Sequence, residues 1–110
     1  MIYHITTRAE WEGQAGAAEY APSAYETEGF IHCCDRHQLE TVGNRYFPGR
    51  KDLVALAILP TKLESETRYE RSGDERFPHI YGPINKGAIS TATGVQCNAD
   101  GLFDGAFAEL

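Results

Sequence analysis

Three of the four histidines stand in short apolar segments: Ile2-Tyr3-His4-Ile5-Thr6, Gly29-Phe30-Ile31-His32-Cys33-Cys34-Asp35 and Phe77-Pro78-His79-Ile80-Tyr81. An imidazole in such a setting needs a hydrogen-bond partner, because an unsatisfied polar group away from water costs free energy. If the three segments meet, His4, His32 and His79 form a polar pocket inside a small apolar core. Such a pocket has three readings. The imidazoles could hold zinc with a water in a fourth position. Alternatively, Cys34, two residues from His32 on the same strand face, could be a thiol nucleophile activated by a neighbouring imidazole. In the third, each histidine is a satisfied core or edge residue. His37 differs from these: it falls in the first turn of a helix, where the dipole disfavours positive charge, and is read as solvent-facing.

Other groups could complete a ligand site. Phe77 or Tyr81 could stack on a flat ring, and Glu70 could accept a hydrogen bond from a ribose hydroxyl; the aromatics serve equally as core packing. Arg68, Arg71 and Arg76 form a solvated charged face or hold a small anion.

Period-two alternation makes Met1 to Thr6 a strand with Ile2, His4 and Thr6 on one face and Tyr3 and Ile5 on the other. Thr7-Arg8-Ala9-Glu10 matches a capping box, predicting a short helix to about Ala15 with Trp11 as its core anchor and Gly16 as its stop. Glu19 to Pro22 is a short extended piece, and Ser23 to Glu28 a polar connector. In the second histidine segment, a strand, Phe30, His32 and Cys34 share one face and Ile31 and Cys33 the other. Asp35 to Gln38 repeats the capping logic, and Leu39, Val42, Tyr46 and Phe47 make a helical apolar stripe ended by Pro48-Gly49. Leu53 to Leu59 lacks polar alternation and is read as a central strand buried on both faces, closed by Pro60.

Thr67 to Glu70 is a further strand, followed by a charged turn around Gly73. Phe77 to Ile84, with two prolines and a glycine, is irregular or at an edge. Ala88 to Val95 is a final strand, and the last fifteen residues show no clear pattern. Strands outnumber helices without regular interleaving, which predicts an α+β fold.

The 110 residues suit one domain, residues 1–110. At 42% hydrophobic and 24% charged the composition is that of a globular protein. A formal charge of −6, from 16 acidic and 10 basic residues, argues against a generic grip on nucleic-acid phosphate. A small anionic ligand held by a few arginines is compatible with this charge. No run of about 18 apolar residues suggests a membrane span, and no basic-then-apolar leader is evident. Three cysteines, two of them adjacent and pointing apart, argue against a disulfide framework and for a cytoplasmic setting. Gly-rich dinucleotide and phosphate-loop motifs, His-Glu-x-x-His, Cys-x-x-Cys and Gly-x-Ser-x-Gly are all absent.

In order along the chain, Ile2 to Thr6, a helix with Trp11, Gly29-Phe30-Ile31-His32, Tyr46-Phe47, the Asp52 to Ile58 strand and Phe77 to Pro83 together resemble the Domain of Unknown Function 952 family over nearly the whole sequence. Cys33-Cys34 departs from it, since members more often carry small or hydroxyl residues there. More distantly, the same order is similar to the catalytic lobe of tRNA 2′-phosphotransferases. Those have the ADP-ribosyltransferase-like fold, a split β-sandwich that holds NAD in a cleft. That resemblance implies such a sandwich with two short helices, and NAD or a related nucleotide as ligand. His4 and Thr6 match a Tyr-His-Gly-Thr segment whose histidine lies against the nicotinamide-side ribose, with Ile5 replacing the glycine. His32 matches the second-strand histidine, while Tyr69 and Glu70 fall near a position that polarises the ribose or the incoming nucleophile.

On this basis His4, His32 and Glu70 are the expected catalytic residues. His4, Thr6, His32, Tyr69, His79 and Tyr81 are expected to bind the cofactor, with no resident metal. The expected activity is nucleotide binding, with or without transfer of ADP-ribose. The alternatives are a non-catalytic small-ligand module and the histidine metal site. The basic lobe with which the RNA-repair enzymes grip RNA is missing, so tRNA repair is not expected.

Overall fold

In the computed structural model, which describes Met1–Leu110, the first strand runs as the sequence requires. β1 (Ile2–Thr7) leads into α1 (Arg8–Glu12), β2 (Glu19–Tyr20), α2 (Tyr25–Glu28), β3 (Ile31–His32) and α3 (Leu39–Tyr46). β4 (Leu53–Ile58), β5 (Glu66–Ser72), β6 (Glu75–Tyr81), β7 (Ile84–Asn85) and β8 (Ile89–Val95) follow. All strand pairings are antiparallel, in sheets ordered β1-β4-β8, β2-β7 and β3-β6-β5. The fold is therefore α+β, mostly strand with a few short helices. No helix is long and apolar enough to cross a membrane.

β4 is central and every one of its residues is buried. Leu53, Ala55 and Ala57 pack into one apolar cluster with Leu39, Phe103 and Phe107. Val54, Leu56 and Ile58 pack into a second with Ile31, Ile80, Tyr20 and Ile84, from the other two sheets. Both faces of the β1-β4-β8 sheet are covered, which is why β4 shows no polar alternation. The last fifteen residues, unpatterned in sequence, supply Phe103 and Phe107 to the first cluster. The Phe103 N–H donates to Asn44 Oδ1 at 2.6 Å, tying this tail to α3.

Several local expectations are corrected. α1 ends at Glu12, with Gly13 rather than Gly16 as its cap. The Gln14 side chain ends the helix by bonding both the carbonyl and the N–H of Ala21. The Thr7 hydroxyl accepts from the Glu10 N–H at 3.2 Å, but the Glu10 carboxylate turns to the Ser23 N–H, so only half of the expected capping box forms. Trp11 is half-buried, edge-on to Tyr20. The connector before β3 contains α2, closed by Gly29 at φ 81°, a left-handed cap suited to glycine. The Asp35–Gln38 capping box does form. Tyr46, placed on the apolar stripe by its spacing, is 63% exposed; Gly43, packed on Phe103, is buried on α3 instead.

The segment Phe77 to Tyr81 is no edge: it belongs to β6, the central strand of its sheet. Pro78 is tolerated because its carbonyl accepts from Cys33 N–H at 3.1 Å. Its nitrogen faces the same side, opposite Cys33, so a single ladder bond is missing at the end of the β3–β6 pairing.

Candidate functional site

Only two residues of the Gly29 to Asp35 stretch count as strand, because the segment changes partners part-way along. Ile31 and His32 pair with Ile80 and His79 of β6, and Cys33 N–H still reaches Pro78. Cys34 then turns its N–H and carbonyl to Tyr3 of β1, both at 2.8 Å. One step further along this second ladder, Ile5 would face His32. It does not pair: the His4 ring reaches across, and His4 Nδ1 lies 2.6 Å from the His32 carbonyl oxygen. The two sheets are thus joined at Tyr3–Cys34 and split apart at His4. Because Tyr3 directs both backbone groups away from β4, period-two geometry points the Ile5 N–H and carbonyl the same way, into the gap, with no protein partner.

His4, Ile5 and His32, which flank the gap, line a cavity of about 700 Å³, within the usual size of small-ligand sites. His4, Thr6, His32 and His79 all line it. Phe77 does so too, whereas Tyr69, Glu70 and Tyr81 do not. Tyr69 donates instead to Asp35 Oδ1 at 2.7 Å, and burial first, then that bond, pushes its hydroxyl up to about 12. Glu70 stands behind the cavity wall and accepts from Tyr81 and from His79, whose Nδ1 lies 2.8 Å away. These two bonds hold the Glu70 carboxyl below its ordinary range. Of the three arginines, Arg71 alone lines the cavity; Arg68 is held by Glu66 and lies over the Tyr81 ring.

The three histidines differ in state. His4 is 6% exposed, and burial lowers its pKa to about 4, so it is neutral near pH 7. A carbonyl can only accept, so the proton sits on Nδ1 and Nε2 is left as an acceptor. That Nε2 is buried and has no partner in the protein. His32 is exposed, its Nε2 3.0 Å from Glu28. His79 is buried beneath Phe30, which stacks on it at 4.3 Å, and His32 meets it edge-on at 5.3 Å. His32 therefore links the other two, its carbonyl holding His4 and its ring touching His79.

This arrangement disfavours two of the sequence readings. No three His, Cys, Asp or Glu side chains are grouped to hold a metal ion. The cysteines are free and buried, and burial raises the Cys34 thiol to about 12, leaving it protonated and a poor nucleophile.

Residues 5–92 match the model of a family described as a protein of unknown function, DUF952. The chain belongs to the DUF952 family. Its fold is similar to that of protein CC0527 from Caulobacter crescentus. The crystal structure of that protein has a TM-score of 0.83 at 30% identity, covering 92% of this chain and 90% of that one. Its solution NMR structure has a TM-score of 0.75 at 28% identity and covers 97% of each chain. No curated protein matches the chain.

In this DUF952 member the sequence reading missed three contributors to the site. Glu28, four residues before His32, pairs with it across the end of α2, a helix that the polar sequence of this connector does not announce. Tyr20 packs beside His4 and donates to Thr6 Oγ1 at 2.7 Å. The free Ile5 amide edge has no signature in sequence, since it arises from a pairing that does not occur.

Proposed function

We propose that the cavity binds NAD or a related nucleotide by its ribosyl–carboxamide end, in the manner of ADP-ribosyltransferase-like split β-sandwiches. The observation that carries this reading is the split at His4. It sets a buried, unpartnered acceptor, His4 Nε2, beside a strand edge offering one donor and one acceptor at Ile5. A primary carboxamide, with its N–H and C=O, complements the strand edge. Phe30, His79 and Phe77 supply flat apolar walls, and Arg71 is the cation available to a pyrophosphate. Two sheets joined at one bridge and then diverging support the fold analogy, which alone would not imply function.

A second reading, a binding module without turnover, has its own support. Glu10 and Glu28 line the cavity but are engaged by the Ser23 N–H and by His32, and Glu70 is set back behind His79. No uncommitted carboxylate is left to face a developing positive charge.

Calorimetric titration with NAD and with ADP-ribose tests the proposal. Saturable binding that is lost in His4→Ala and kept in His37→Ala is the expected result; absence of binding to both compounds rejects it. Nicotinamide release by the same sample separates enzyme from binding module.

A further inference from the structure

The Glu70–His79 pair has the form of a base held for proton abstraction. An ionised carboxylate only accepts hydrogen bonds, so the proton shared at 2.8 Å belongs to His79 Nδ1, and in the neutral form of the ring the lone pair is on Nε2. Phe30 stacked on one face, at 23° to the ring, and the edge of His32 restrict its rotation. Tyr81 holds the same Glu70 oxygen from the other side. His79 has 11% of its side chain exposed and lines the cavity, and its Nε2 has no protein partner. Neither of the other histidines is placed this way. His4 presents a shielded Nε2 and resists protonation, while His32 is exposed with its Nε2 committed to Glu28.

We propose that His79 is the general base of the cavity, that Glu70 is its positioning residue, and that the pair activates water against the ribosyl–nicotinamide bond of a bound NAD-class nucleotide. The ligand class rests on the proposed function above. In the step, His79 Nε2 takes a proton from water as the water oxygen bonds to ribosyl C1′. The C1′–N bond breaks with its electron pair passing to the pyridinium nitrogen, which leaves as neutral nicotinamide. The imidazolium formed is stabilised by the Glu70 carboxylate and returns its proton to solvent. Glu70 thus acts through His79 and not on the sugar, which accounts for its place behind the cavity wall.

The test has two readouts on the full chain. Long-range ¹H–¹⁵N NMR of histidine-labelled protein should show the His79 proton on Nδ1 with a bare Nε2; a proton on Nε2 overturns the assignment without reference to any ligand. Nicotinamide release from NAD should fall by about 100-fold or more in His79→Asn. It should fall by roughly 10-fold in Glu70→Gln, both falls being read as kcat at saturating NAD, with His37→Asn matching the parent in release and in calorimetric affinity for ADP-ribose. Binding with undiminished release in His79→Asn, or binding by the parent with no release, rejects the base while leaving the nucleotide reading intact. Failure of the parent to bind either compound removes both.

Discussion

His4 Nδ1 and the carbonyl oxygen of His32, 2.6 Å apart, stand where a backbone ladder between β1 and β3 would otherwise continue. The side chain of one strand takes the acceptor that the backbone of that strand would have used. The consequence is a cleft instead of a continuous sheet, with a tautomer fixed on one side and a free strand edge on the other. This contact also sets which way His4 presents its lone pair.

The buried neutral state of His4 makes stability depend on pH. Its folded pKa, near 4, lies below the unfolded value of 6.5, so between these limits the unfolded chain binds more protons. The His4 contribution is therefore complete above about pH 6.5 and is lost as pH falls towards 4, about 3 kcal/mol in all. Urea unfolding at pH 7, 5.5 and 4.5 should show this decline. His4→Asn, which keeps a donor for the His32 carbonyl and does not titrate, should flatten the curve relative to the parent. Parallel curves would mean that His4 takes up its proton in the folded state.

The Tyr20–Thr6 pair fixes the polar atoms next to His4. The hydroxyl of fully buried Tyr20 donates to Thr6 Oγ1 at 2.7 Å, and burial raises the phenol to about 12. Tyr20→Phe should cost about 1 kcal/mol by leaving Thr6 without its donor. A double-mutant cycle with Thr6→Val should recover most of that loss, since removing both partners leaves nothing unsatisfied. Additive losses in denaturant unfolding would show that the bond is not formed in solution.

Gly43 tests how firmly the C-terminal tail is packed. A Cβ at this position would sit 2.9 Å from Phe103 Cγ, and Phe103 is fully buried. Gly43→Ala gains about 1 kcal/mol of helix propensity in α3 but overpacks the core at a cost of about 1–3 kcal/mol. The clash should win, lowering the urea midpoint. A raised midpoint would place the ring elsewhere.

The three thiols should be silent in the folded protein. All are buried, and burial raises Cys33 and Cys34 alike. A disulfide-exchange reagent at pH 8 should label none of the three rapidly, and all three once denaturant is added. Fast native labelling of Cys34 would restore its reading as a nucleophile.

Much of the fold could be read from short-range chemistry. The buried strand Leu53 to Ile58, the Asp35–Gln38 capping box, the alternation of β1 and the Gly73 hairpin each depend on residues close together in the chain, where sterics and periodicity act directly. The same alternation put His4 and Thr6 on one face, and the need of imidazoles in apolar segments for partners suggested that the three histidine segments meet. All three do line one cavity. The misreadings fell where a distant partner overrode the local pattern. Phe77 to Tyr81 is central in its sheet despite Pro78 because β3 stops beside it, and α1 is cut short by a glutamine that bonds Ala21.

Residue types and spacing by themselves determined which groups were available: three imidazoles in strand-like settings, a carboxylate beside an aromatic, and thiols in apolar surroundings. Tertiary structure alone decided their chemical state. It made His4 a buried acceptor by giving its other nitrogen to a carbonyl 28 residues away. It paired Glu70 with His79 across two strands and placed one in the cavity wall and the other behind it. Protonation, tautomer and access depend on burial and on partners remote in sequence, and these exist only once the sheets have packed.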